Sequence, residues 1–152
     1  MEKYFKHMAF IYLFALLPGI INFANSLYAN ELTELTTMNL LASGLFLFCC
    51  MGYGFYCGSK NMSSFIIFNF AYWAISMGII FISDYIDLNL FTLLAVYTSV
   101  IPMYGLRYFL SESNINDPMN FGLLIFIILM VSLFGYLIGK MRYQVQQVKS
   151  AL

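Results

Sequence analysis

Two carboxylate pairs, Glu31/Glu34 and Asp84/Asp87, are the residues whose type and spacing come nearest to chemistry in this chain. Each pair is spaced i, i+3, so a helical link would carry both carboxylates on one side. Such oxygens concentrate cations and suit a hard ion such as Ca²⁺. Short polar links between apolar segments also need charges merely to remain in water, and this plainer reading outweighs a cation-attracting mouth.

Other chemistry is poorly supplied. His7 is the single histidine, so no histidine pair is present to hold a haem. Cys49, Cys50 and Cys57 share one apolar stretch, and Cys50 and Cys57 stand about two helical turns apart, too far to bridge. They read as buried, reduced thiols. No P-loop and no Gly-x-Ser-x-Gly turn is present. A Ser–His pair would have to recruit His7, and nothing in the pattern supports one. The sequence therefore predicts no enzyme, no cofactor and no bound metal.

The elements that must position these residues are long apolar segments. Five of them, Met8–Tyr28, Met38–Cys57, Ser63–Ser83, Leu90–Leu110 and Asn120–Gly139, fill most of the 152 residues. Each approaches the ~20 residues with which a helix crosses a ~30 Å hydrocarbon layer. Hydrophobic residues make up 62% of the chain and charged ones 9%, too little polar surface to keep five such segments soluble. Segments such as Phe121–Leu133 lack the alternation of a barrel strand, so the fold class is all-α, a polytopic transmembrane helix bundle forming one domain over residues 1–152. Zero net charge argues against nucleic acid as a partner. Ala24-Asn25-Ser26 loosely resembles a signal cleavage site, but Pro18, Gly19, Asn22 and Asn25 in a segment of spanning length favour an uncleaved first helix.

Charge bears on topology. Five spans leave Lys3, Lys6, Lys60 and Arg107 on one side and Lys140, Arg142 and Lys149 on the other, which barely selects an orientation. A re-entrant fourth segment would instead gather six basic residues inside and leave Arg107 alone outside. Pro102 favours that alternative because it interrupts helical hydrogen bonding. The apolar run Leu90–Leu106 favours a full crossing, and five spans with a cytoplasmic N-terminus is the reading adopted. A shift of 53 residues aligns Glu31 with Asp84, Glu34 with Asp87 and Gly52 with Gly105, a weak trace of a two-helix repeat.

Packing faces follow from small residues. Gly54-xxx-Gly58 and Gly135-xxx-Gly139 are GxxxG motifs, and Ala74-xxx-Gly78 is similar. In a five-span chain Gly58 and Gly139 lie near opposite faces, so the two motifs would not meet. Pro18 and Pro102 should kink their helices. Asn22 and Asn69 fall at different depths and should each bond to a neighbouring helix. Asp117-Pro118, Ser63/Ser64 and Thr36/Thr37 are suitable starts for helices five, three and two.

No carboxylate, lysine or arginine lies near the middle of a span, which disfavours a proton-coupled pump. The reading that results is a non-enzymatic, multi-pass protein of the cell membrane, a subunit or accessory of a larger membrane assembly. Its partners would be membrane lipid and another membrane protein or further copies of itself. A small oligomeric transporter or channel with acidic loops at its mouth is the alternative, and a membrane immunity or regulatory protein a further one.

Overall fold

A computed structural model describes residues 2–27, 37–82, 89–109 and 118–151, and all regular structure among them is helical. Helices α1 (Glu2–Leu27), α2 (Thr37–Ser59), α3 (Ser64–Ile82) and α5 (Pro118–Ala151) are long, whereas α4 (Asn89–Ser99) has 11 residues. A 3-10 turn, Tyr104–Phe109, follows α4. Four helices, α1, α2, α3 and α5, are long and apolar enough to cross a membrane, consistent with a membrane protein. Helices α2, α3 and α5 begin at Thr37, Ser64 and Pro118, where hydroxyl residues and a first-turn proline favour helix starts.

A fifth span is not confirmed among the described residues. The segment Leu90–Leu110 divides, because Pro102 has no N–H to give and its ring would strike the carbonyl of Thr98. Ile101 N–H instead bonds Val96 O at 3.0 Å, five residues back, and the chain turns through Met103 N–H to Val100 O and Tyr104 N–H to Ile101 O. Helix α4 covers only about 16 Å at 1.5 Å per residue. Pro18 has a milder effect, since α1 continues through it to Leu27. The adjacent Gly19 leaves room for the ring of Tyr97, 3.6 Å from where a β-carbon would stand.

Contacts set the directions of the helices. His7 meets Tyr53 and Ser64 at one end of the bundle, here called basal, and Asn22 meets Ser43 towards the other, apical end. Helix α1 is therefore antiparallel to α2 and parallel to α3. Phe65 stacks on Tyr136 near the basal end, and Gly122 lies by Met77 and Phe81 near the apical end, so α5 is antiparallel to α3. It follows that α2 and α5 run parallel. The fourth segment starts where α3 stops, at the apical end. Thr98 reaches Tyr72 in mid-bundle, and the chain has returned by Gly105 to the first turn of α2. Helix α5 then begins at the apical end as well.

The core lies between all five helices, with Ala15, Phe46, Trp73, Met103, Ile128 and Tyr136 almost wholly enclosed. Helix α1 is a working member of this bundle, burying His7, Ile11, Ala15 and Asn22. The outer surface is apolar too, with Leu13, Phe48, Ile67 and Phe126 among its exposed side chains. Such a shell, greasy outside and packed inside, suits lipid rather than water.

Candidate functional site

The seam between α2 and α5 is built on four glycines. A β-carbon at Gly54 would meet the backbone carbonyl of Ser132, and one at Gly58 the carbonyl of Tyr136. From the other helix, Gly135 faces the carbonyl of Met51 and Gly139 that of Phe55. Each glycine thus turns a Cα–H where a side chain would otherwise stand, towards a carbonyl of the opposite helix, a weakly favourable contact repeated along the seam. The two GxxxG motifs meet within one chain, contrary to the five-span expectation. They meet because the short fourth segment returns α5 to the direction of α2. Ala74 and Gly78 lie elsewhere: Ala74 is exposed and nothing approaches Gly78 within 4 Å. The face of α3 turned inward is the one carrying Phe65, Asn69, Trp73, Ser76 and Ile80.

Buried polar groups form a second framework. Towards the apical end, Asn39 Nδ2 donates to Asn22 Oδ1 at 3.0 Å, and Asn22 Nδ2 donates to Pro102 O at 3.0 Å and Ser43 Oγ at 3.3 Å. The N–H of Gly105 donates to the same Ser43 Oγ at 2.9 Å. Gly105 can approach because it lacks a side chain, since a β-carbon there would strike the backbone of Asn39. This cluster ties the non-helical turn after α4 to α1 and α2. An unpaired amide or carbonyl away from water costs several kcal/mol, so the turn can lie inside the bundle only with such partners.

In mid-bundle Trp73 Nε1 donates to Asn69 Oδ1 at 2.8 Å, and Asn69 Nδ2 donates to Ser132 Oγ at 2.8 Å. Ser132 Oγ in turn donates a hydrogen bond to Leu129 O at 2.9 Å. Tyr72 donates to Thr98 Oγ1 at 2.7 Å, and Thr98 donates to Leu94 O. Beside Asn69 and Ser132 lies a void of about 10 Å³, lined also by Ile11, Phe14, Cys50 and Tyr53. That is about the space of one water. Asn22 and Asn69 belong to separate clusters.

At the basal end His7, with no exposed surface, joins three helices. Its Nδ1 lies 2.8 Å from the Tyr53 hydroxyl and its Nε2 3.2 Å from Ser64 Oγ. A neutral imidazole has one donor and one acceptor nitrogen, and hydroxyls can answer both. Phe65 and Phe68 enclose the ring. Nothing local in the sequence betrays that His7 is interior.

The acidic pairs Glu31/Glu34 and Asp84/Asp87 lie outside the described residues. Among the described residues no group of three His, Cys, Asp or Glu is placed to hold a metal, and the side chains whose burial is described include no buried Asp, Glu, Lys or Arg. Cys50 and Cys57 are buried free thiols, and Cys49 is half-buried. Asn39, Ser43 and Ser132 were missed in the sequence. Their signal was present, since Asn39 and Ser43 are spaced i, i+4 and Ser132 alone interrupts the apolar run of α5. Searches of known protein families, of characterised proteins and of solved structures give no match for this chain.

Proposed function

We propose that this chain is a non-enzymatic, four-span membrane protein that serves as a subunit or accessory of a larger membrane assembly. Its fourth segment is read as re-entrant, dipping from the outer face and returning to it. Both ends of the chain then lie in the cytoplasm. The charges agree with this orientation: Lys3, Lys6, Lys60, Lys140, Arg142 and Lys149 fall on the basal side and Arg107 on the apical side, the excess of basic residues that cytoplasmic segments carry.

One observation carries the assignment as a subunit. The polar groups of the described interior are spent on one another, and the void beside Asn69 has room for about one water. In this reading such an interior serves to hold the bundle in shape. The outer surface and the basal extension of α5 then serve for contact with partners.

The test is native size. Extracted gently at its natural level of expression, the protein should migrate well above its own 17.5 kDa with a stoichiometric membrane-protein partner. A lone monomer, with no partner captured by cross-linking in the intact membrane, would overturn the reading.

A small transporter or channel is the second reading. It draws support from the non-helical backbone at Val100–Met103 inside the bundle, since membrane proteins admit such backbone chiefly where it is wrapped in protein or lines a path. Ion or solute flux in vesicles containing the purified chain alone tests it, and a passive membrane removes it.

A further inference from the structure

Helix α5 is longer than a membrane requires. Its 34 residues span about 51 Å against a hydrocarbon layer of ~30 Å. The Arg142 guanidinium still lies over the ring of Phe55, 5.8 Å from its centroid, and from Gln144 to Ser150 every position is exposed. Along this extension Met141, Val145 and Val148 are 56%, 55% and 62% exposed. They are spaced four and three apart, the interval that places residues in one narrow row for a facing helix. The row continues the line of Phe134 and Leu137 from the spanning part of the same helix.

Charge indicates what could cover it. In heptad terms Arg142 and Lys149 both flank the row on one side, and no acidic residue occurs anywhere after Asp117. Two copies of this helix laid together would bring only like charges to the seam. A lipid surface fits poorly as well, because α5 is uninterrupted from Pro118 to Ala151. The extension therefore keeps the direction of the spanning part, away from the membrane plane.

We propose that the basal extension of α5 is a docking helix for an amphipathic helix with acidic flanks on a cytoplasmic-side partner. The apolar row formed by Met141, Val145 and Val148 supplies the buried seam, and Arg142 and Lys149 select the acidic occupant. This inference rests on the reading of the chain as an assembly subunit and names the chemistry of its partner.

The probe is a fluorescent amphipathic peptide of about four heptads, apolar at the seam and with Glu at the flanking positions. The full-length protein is held in neutral-lipid nanodiscs. The acidic peptide should bind at least about tenfold more tightly than a Lys-flanked peptide or a seam-scrambled acidic one. Val145→Ser with Val148→Ser should abolish that advantage without lowering the melting temperature, since both residues are exposed. Arg142→Glu with Lys149→Glu should transfer the preference to the Lys-flanked peptide. Equal binding of the scrambled and ordered acidic peptides overturns the proposal. So does binding to anionic vesicles in place of the peptide, or efficient cross-linking of two tails through Val148→Cys in the native membrane. Should the native complex survive removal of residues 141–152 while the peptide fails to bind, the subunit reading stands and the docking helix falls.

Discussion

Gly58 lies with its α-carbon against the carbonyl oxygen of Tyr136. With Gly54 against Ser132 O four residues earlier on both helices, the contacts advance together along α2 and α5, so the two run in the same direction. The seam thus ties the direction of α5 to that of α2.

A side chain at this seam has nowhere to go. Gly58→Leu and Gly135→Leu would press against backbone, which cannot rotate aside as a side chain can. Overpacking between side chains already costs about 1–3 kcal/mol, and these variants should lose at least that much. Gly78→Ala and Gly52→Ala, where nothing lies within 4 Å, should be neutral or gain up to about 1 kcal/mol from helix propensity. Melting of the detergent-solubilised protein separates the two groups. A Gly58→Leu protein as stable as its parent would disprove the close seam.

The polar anchor of the fourth segment should be cooperative. Asn22→Leu removes at once the bonds that Asn39, Ser43 and Pro102 O make to Asn22, a loss of about 1–3 kcal/mol for buried groups that each give up one bond. In a double-mutant cycle with Asn39→Leu, the coupling should be roughly 0.5–2 kcal/mol, the range of inter-helix bonds in membranes. Strictly additive losses would show that the two amides act independently.

Gly105→Val should unseat the turn while sparing the long helices. The added side chain strikes the backbone at Asn39, so the segment after α4 must lift from α1 and α2. Helical circular dichroism should change little. A cysteine placed at Thr98, enclosed in the parent fold, should become accessible to a membrane-permeant thiol reagent, in a background lacking Cys49, Cys50 and Cys57. Continued protection would mean that other contacts hold the segment.

Opposite topologies follow from four and from five spans. Under the proposed arrangement, a fluorescent protein that matures only in the cytoplasm should glow when fused to either end of the chain. A periplasm- or lumen-dependent reporter should be silent at both. Activity of the second reporter at the C-terminus alone would restore the fifth span.

His7→Phe keeps the aromatic surroundings of the ring but abandons the hydroxyls of Tyr53 and Ser64. The cost should be about 1–3 kcal/mol, and Tyr53→Phe in the same protein should recover part of it. No recovery would show that His7 acts through its shape rather than its nitrogens.

The sequence by itself determined that the chain is helical, apolar on its outside, and built from segments of membrane-crossing length. These properties depend on local composition, and every residue of α3, for example, contributes to them wherever its neighbours lie. The sequence also marked the starts at Thr37, Ser64 and Pro118, since capping preferences act within one turn. Where the fourth segment goes after its helix stops was decided by tertiary contacts: Pro102 only interrupts a helix, whereas Asn22 and Ser43 provide bonds that hold Pro102 and Gly105 against α1 and α2. The glycine motifs were visible as motifs, but their mutual pairing depended on the direction of α5, a property of the whole path. His7 was hidden for the same reason. Its burial arises where three helix ends converge, and no residue near it in sequence records that meeting.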